Sequence, residues 1–553
     1  MAVMTDGLKT LAGSALRGVL AKAAATPVRG TIWGAIITLL VQSSSATTMT
    51  TIGLVSAGLL TFPQGLSLVF GANIGTTGTG WLVALLGVRI SLTAAALPIV
   101  FVGALLKLVG RGRWAGAGSA IAGFALILVG LTTLQQGMGG LAEQLNPADL
   151  PSVIGGAGVA WWSGILGVLV LVLAGIVMTT VMQSSTAAIA VTLSALYAGA
   201  VGLDQAVALV IGQNIGTATS SAMAAVGASS TAKRLAVAYI AFKLIAAVVA
   251  LLLFLPVIRL MMRATASIDA VTLLAIYHTG YNVVGVAILL PLIAPFTRTI
   301  ERIVPERGNP LTRCLDPASL TSSIVAVEAG RRTVARVLGS LCLSTTDRLG
   351  SVLRVGPAAY SIDNTMLHQT SDALQETRVF LSHVTEQLPS DEEQRWFIST
   401  LHALEHTIRL AEAIKENVEI GRDGVEERRA VALCTKAMRS AYSIATLLVH
   451  SPVPKSEEPR PTEQPTMVGV RPVDTDTTPA ASLDKAIVCL EHCSTELTEL
   501  LPSHRRATLE SVASGTLTAN DAIAHVEMVR FLDRLAHHAW RASAHIAGAI
   551  VRY

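Results

Sequence analysis

The chain has 553 residues, 52% of them hydrophobic and 14% charged, with a formal net charge of +4. That average conceals a division: residues 1–296 hold 13 Lys/Arg and 5 Asp/Glu, leaving 28 and 32 of the chain's 41 and 37 to residues 297–553. The basic excess of the first part is sparse and lies in short loops, which speaks for membrane orientation and against nucleic-acid binding, while the second part has the composition of a soluble domain.

The first 25 residues are weakly amphipathic, carry Lys9, Arg17 and Lys22, and do not read as a cleavable signal peptide. Apolar runs follow at about 89–109, 114–134, 164–182, 235–258 and 283–296. Several reach the ~20 residues that a helix needs to cross the hydrocarbon core. Between them lie stretches rich in Ser, Thr, Gly and Asn, nearly free of charge. In lipid such backbone is tolerated only when shielded by protein or lining a wet cavity.

From Arg298 onward the spacing predicts charged amphipathic helices at about 322–355, 363–388, 391–417, 425–449, 482–501 and 519–549. No strand alternation appears. Residues 451–481 hold seven prolines and read as a linker that splits the soluble part into two helical halves. All five cysteines lie in the soluble part without a disulfide-like pattern, as suits a reducing cytoplasm.

An internal duplication organises the membrane half. Gln42-Ser43-Ser44-Ser45-Ala46 returns as Gln183-Ser184-Ser185-Thr186-Ala187, and Gly71-Ala72-Asn73-Ile74-Gly75-Thr76 returns as Gly212-Gln213-Asn214-Ile215-Gly216-Thr217, both at an offset of 141. A Gln-Ser cluster between apolar segments reads as the tip of a helical hairpin dipping into the membrane, where helix ends leave backbone groups free. N–H groups and hydroxyl donors suit an oxyanion, and carbonyl and hydroxyl oxygens suit Na⁺. The glycines of the Asn-Ile-Gly-Thr motif are expected to permit an unwound crossing, and duplicated transporters place their sites at such broken helices.

Three crossings separate corresponding ends of the copies, near 115–137, 205–227 and 233–257, and an odd number inverts the second copy. A helix at about 272–296 then returns the chain to the side of Lys107, Arg111 and Arg113, which the positive-inside rule makes cytoplasmic, with Arg259 and Arg263 outside. The expected fold is all-α: a polytopic membrane domain at 1–300 with inverted repeats (about 30–110 and 171–258), re-entrant hairpins and broken helices, then a soluble helical domain at 301–553.

The motifs at 42–48, 71–77, 183–187 and 212–217 closely resemble the sodium/phosphate cotransporter family, bacterial relatives of the type II sodium–phosphate cotransporters. His278-Thr279-Gly280-Tyr281-Asn282 is similar to that family's H-T-x-F-N segment. The resemblance implies one phosphate and sodium site in a bacterial plasma membrane, with Na⁺ as coupling ion and no cofactor. It implies hairpin-tip residues Gln42, Ser43, Ser44, Ser45, Gln183, Ser184, Ser185 and Thr186, and broken-helix residues Asn73, Thr76, Thr77, Asn214 and Thr217. Relatives also carry a membrane helix ahead of the segment matching residues 5–30, which this sequence does not show. Where relatives read A-H-x-x-F-N, this chain has Ala238-Tyr239-Ile240-Ala241-Phe242-Lys243. Lys243 lies within an apolar run and is expected to snorkel or pair near the interface, with a site role as the second reading. His278, the one histidine of the membrane half, reads equally as a packing or a functional residue.

In the soluble half, Arg530 to Ala539 resembles the R-x-L-E-R-I-A-D-H-A helix of PhoU-like regulators of phosphate uptake. The paired positions of that family's metal-binding faces read Asp533/His537 and Glu405/Arg409 here, which does not favour a metal. His402-Ala403-Leu404-Glu405-His406 matches an inverted zinc-protease pattern but lies on an amphipathic, bundle-like helix. With no acid–base pair, nucleophile or phosphate loop in 1–296, an enzyme is not expected. Na⁺-driven phosphate transport with a PhoU-like regulatory domain is the leading reading. Ser/Thr/Asn chemistry also accommodates another small anion, and a membrane-anchored phosphate-responsive regulator with a vestigial transport core is the third reading.

Overall fold

The computed structural model describes residues 3–8, 10–11, 26–87, 93–142, 150–155, 158–226, 228–306, 309–355, 358–359, 364–384, 391–416, 418–421, 424–450 and 479–548. The chain divides into two compact units, Met1–Ser56 with Leu60–Arg307, and Ala57–Leu59 with Gly308–Tyr553.

The first unit runs α1 (Pro27–Val41), α2 (Ser44–Ser56), α3 (Phe62–Thr76), α4 (Gly78–Leu82), α5 (Thr93–Val109), α6 (Arg113–Ala142), α7 (Trp161–Met182), α8 (Ser185–Tyr197), α9 (Leu203–Gly216), α10 (Ala218–Ala224), α11 (Ser230–Leu252), α12 (Phe254–Ala264), α13 (Ala270–Leu289) and α14 (Ile293–Ile303). Among its described residues, five helical segments are long and apolar enough to cross a membrane: Phe62–Leu85, Arg113–Gly140, Trp161–Met182, Ser230–Leu252 and Ala270–Leu289. Two expected stretches, the run at 235–258 and the helix at 272–296, are each cut short. Pro256 and Pro291 lack the N–H that an uninterrupted helix would use, and the chain breaks at Leu253 and between Leu289 and Ile293.

The duplication is visible in the packing. α1 packs along α3 and α7 along α9. Both central helices are buried almost all round: Leu66, Leu68, Val69 and Phe70 of α3, and Val207, Ala208, Val210 and Ile211 of α9, are 0% exposed. A Cβ on Gly34 would lie 2.1 Å from the Leu68 carbonyl oxygen, and one on Gly71 2.0 Å from that of Thr31. Their counterparts 141 residues on behave alike, with 2.2 Å from Gly175 to the Leu209 oxygen and 1.9 Å from Gly212 to the Val172 oxygen. Small residues thus bring backbone against backbone, the usual way helices associate where lipid removes the hydrophobic drive. This corrects one expectation: Gly75 and Gly216 are helical residues serving close approach, as Gly71 and Gly212 are, and the breaks fall at Thr77, two residues after Gly75, and at Thr217, one after Gly216.

The second unit contains α15 (Ser323–Val355), α16 (Asn364–Ser382), α17 (Asp391–Ile414), α18 (Val425–His450), α19 (Pro479–Ala513) and α20 (Ala519–Ala547). One two-residue antiparallel pairing joins β1 (Ala358–Ala359) to β2 (Glu419–Ile420); the fold among the described residues is otherwise all-α, as expected. α18 packs on both α15 and α19, and α20 packs on α17, α18 and α19. Helices on either side of the proline-rich segment therefore share one core, not two separate halves. Cys434 and Val431 of α18, Leu490, Cys493 and Leu497 of α19, and Phe531 and Leu535 of α20 are all fully buried. Residues 451–478 lie outside the described residues. α19 begins at Pro479, inside the span read as linker, and continues through Pro502 to Ala513, beyond the expected end near 501. His402 and His406 of α17 do not form an isolated pair: the His402 ring stacks on that of His545 at 5.1 Å, and His406 Nδ1 lies 3.2 Å from His538 Nδ1.

Candidate functional site

The two helical hairpins are built by the same local chemistry. Gln42 and Gln183 end α1 and α7 with φ of 56° and 50°, the two non-glycine residues of positive φ among the described residues. Left-handed backbone is costly for a residue with a Cβ, so it needs support. The support is matched: Gln42 Nε2 donates to the Leu39 carbonyl at 2.5 Å and Gln183 Nε2 to that of Thr180 at 2.6 Å, each satisfying an end-of-helix acceptor. Their Oε1 atoms accept from Thr79 Oγ1 at 2.6 Å and Ser220 Oγ at 3.2 Å, residues again 141 apart. These two bonds tie each hairpin tip to the segment just past the broken helix. Ser43 and Ser184 then cap α2 and α8, accepting from the N–H of Ala46 and Ala187 at 3.2 Å each.

From these positions the chain gathers Ser44, Ser185, Asn73, Thr76, Asn214 and Thr217 around one small polar cavity, joined by Ile189, Lys243 and His278. Each repeat contributes one serine, one asparagine and one threonine at equivalent places. The remaining expected residues do not line it. Gln42, Ser43, Gln183 and Ser184 shape the hairpins, Ser45 is exposed, Thr186 is buried elsewhere, and Thr77 Oγ1 is returned to the Ile74 carbonyl at 2.7 Å.

Around the cavity, hydrogen bonds join the two copies. Tyr239 Oη donates to Asn73 Oδ1 at 3.3 Å and lies 3.4 Å from Thr217 Oγ1, so one phenol touches both repeats. Asn214 Nδ2 donates to Asn282 Oδ1 at 3.2 Å, and Asn214 Oδ1 accepts from Lys243 Nζ. His278 Nδ1 is buried and makes no hydrogen bond.

Lys243, Tyr239 and Asn282 were under-read from the sequence. Lys243 does not snorkel: nine residues separate it from the nearer end of α11, about 14 Å along the axis, too far for a four-methylene stem. The signal was available in a second, shorter repeat shared by α11 and α13. Tyr239, Phe242 and Lys243 match His278, Tyr281 and Asn282 at a common offset of 39. Chemically, the N-termini of α2 and α8 and the Ser44 and Ser185 hydroxyls offer donors, and the amide oxygens of two asparagines offer acceptors. Such a set can hold a small oxyanion beside a hard cation.

The Na⁺/Pi-cotransporter family matches residues 1–136 and 167–288. Among curated proteins, the "Uncharacterized protein YqeW" of Bacillus subtilis is 28% identical over 307 residues, covering 56% of this chain and 94% of that protein. The "Putative inorganic phosphate export protein YjbB" of Escherichia coli is 26% identical over 444 residues, covering 78% and 77%. The "Sodium-dependent phosphate transport protein 2A" of Ovis aries is 40% identical over 79 residues, covering 14% and 12%. No solved structure matches the chain. With the paired motifs and their shared cavity, these matches identify the chain, through its membrane half, as a member of the Na⁺/Pi-cotransporter family.

Proposed function

We propose that the chain transports inorganic phosphate across a bacterial plasma membrane with Na⁺ as the coupling ion, and that the cavity lined by both repeats holds them. The observation that carries this reading is the convergence of two motif pairs, 141 residues apart in sequence, on one buried polar cavity. A merely structural role for Ser44, Ser185, Asn73 and Asn214 would not require matched residues of both copies to face the same space. The names of the relatives supply the substrate class: phosphate for the Escherichia coli protein, phosphate with sodium for the sheep protein. Coupling follows if Na⁺ and phosphate each raise the other's affinity. The ion gradient and stoichiometry then set direction, and the export named for the Escherichia coli relative makes the outward arm worth measuring.

The soluble half we read as a cytoplasmic PhoU-like regulatory domain. Two observations support it: the Arg530 to Ala539 pattern falls on α20, and the 444-residue match to the Escherichia coli protein is longer than the membrane half, so it takes in part of the soluble half.

The test is radiolabelled phosphate movement in proteoliposomes, inward and outward, with and without a Na⁺ gradient, beside the double variant Ser44→Ala/Ser185→Ala. Na⁺-dependent flux in the wild type and a loss of roughly 100-fold in the variant are expected, since two charge-assisted hydrogen bonds are removed. Flux unchanged in the variant would place the site elsewhere.

A further inference from the structure

Lys243 is 2% exposed, and among the described residues of the membrane half it is the one buried Asp, Glu, Lys or Arg. Its Nζ donates to Asn214 Oδ1 and lies 5.4 Å from the centroid of the Tyr239 ring. No carboxylate among the described residues pairs with it. An amide oxygen and a ring face are partial charges. They orient an ammonium without neutralising it, and a buried cation lacking a counter-ion is costly. The same side chain lines the cavity, so its natural counter-charge is an anion bound there.

The second line of argument comes from Asn214, which sits between two equivalent positions. Its Nδ2 donates to Asn282 of α13, and its Oδ1 accepts from Lys243 of α11, the residue at the matching place 39 positions earlier. An amide carbonyl is the kind of oxygen that a hard monovalent or divalent cation takes as ligand. Here that oxygen is given to an ammonium that belongs to the chain. The α13 copy shows that a neutral amide suits the same structural slot, so the amine on α11 is a difference of charge more than of fit.

We propose that the Lys243 ammonium is a tethered cation of the anion site, supplying the positive charge that a co-bound Na⁺ supplies when an amide stands at position 243. This rests on the phosphate reading above. The consequence is that phosphate binding needs one Na⁺ fewer in this chain than in its Lys243→Asn variant.

The experiment is equilibrium binding of radiolabelled phosphate to the purified full chain in detergent, across a Na⁺ series balanced with choline. Wild type, Lys243→Asn and Lys243→Arg are compared. For Lys243→Asn we expect affinity roughly 10-fold lower or more at low Na⁺, recovery as Na⁺ rises, and a slope of log affinity against log Na⁺ steeper than wild type by about one. Lys243→Arg, which keeps the charge, should follow the wild type at low Na⁺. Recovery at high Na⁺ also shows that the variant is folded, and Lys243→Gln replaces it if Lys243→Asn yields no monodisperse protein. Equal slopes, or a loss that no Na⁺ concentration restores, overturn the proposal and leave phosphate transport standing. If the wild type binds no phosphate but binds sulfate, the phosphate reading fails and the slope comparison is decided with sulfate. Binding of neither anion at any Na⁺ concentration overturns both.

Discussion

The two units of this protein bury positive charge in opposite ways. In the second unit, Arg331 and Arg332 are buried beside Glu328, each with a 2.7 Å ion pair, and Arg331 Nη1 also reaches the Ile546 carbonyl at 3.3 Å. Burial pushes the Glu328 carboxyl up, but the two guanidinium groups outweigh it and hold the group below the ordinary carboxylate range. In the membrane unit Lys243 has an amide and a phenol ring for company. A charge that the sequence neutralises internally is part of the architecture, whereas one left for a ligand to neutralise belongs to a site. Histidines of the second unit divide the same way: His492, His504 and His525 lie against Glu496, Glu426 and Glu427, whereas His406, His538 and His545 gather on α17 and α20, where burial and one another hold them below the ordinary histidine range.

The comparison is most exposed to a change at Glu328. Glu328→Gln takes the carboxylate from the buried Arg331 guanidinium and is expected to destabilise the second unit by about 3–5 kcal/mol, since breaking one side of a buried pair strands the other. Thermal unfolding of the purified full chain, followed by hydrogen exchange on α15, would show it. Loss of less than about 1 kcal/mol would mean that these arginines are solvated, and the contrast with Lys243 would lapse.

A smaller effect is expected from pH. Burial, then the neighbouring histidines and arginines, depress His406, His538 and His545 to about 4 each. In the unfolded chain a histidine titrates near 6.5, so between about pH 6.5 and 4 the unfolded state binds protons that the folded state does not. Stability from these groups is therefore complete above pH 6.5 and lost as pH falls toward 4. Allowing for screening of the partly exposed His406 and His538 rings, the loss is on the order of 1–2 kcal/mol in all. The melting midpoint of α17 and α20 against pH, with His406→Gln/His538→Gln as control, checks it; a midpoint flat over that window would show that the rings are charged or fully solvated.

The smallest change is the most discriminating. Lys243→Met removes a buried charge with no acid partner and should alter stability by no more than about 1 kcal/mol in either direction, the gain in desolvation offsetting the lost bond to Asn214. A melt showing a loss as large as that of Glu328→Gln would make Lys243 a structural cation after all.

What the sequence made legible follows from spacing. Two polar motifs at one offset located the hairpins, the broken helices and six of the nine cavity-lining residues. Spacing did not tell lining from support. Gln42 and Gln183 look like ligands in the sequence, yet they act through left-handed backbone and bonds to Thr79 and Ser220, residues outside the recognised motifs. Gly75 and Gly216 look like hinges, yet they are contact points, because helix-to-helix distance leaves no trace in a single segment. Lys243 was visible as a cation in an apolar run. Its direction was decided by depth within α11 and by Asn214, which lies 29 residues away in the chain.

The glycine contacts carry a consequence for motion. Where α1 meets α3 through Gly34 and Gly71, and α7 meets α9 through Gly175 and Gly212, backbone rests on backbone with no side-chain slack between them. Packed surfaces of that kind slide poorly, because any shift along the axis drives a carbonyl into a neighbouring Cα. Any rearrangement that admits a solute to the cavity therefore carries each of these helix pairs as one stiff plank. The bending falls to the short joints at Gln42–Ser43, Gln183–Ser184, Thr77 and Thr217, which stand at the ends of the planks and beside the cavity they would open.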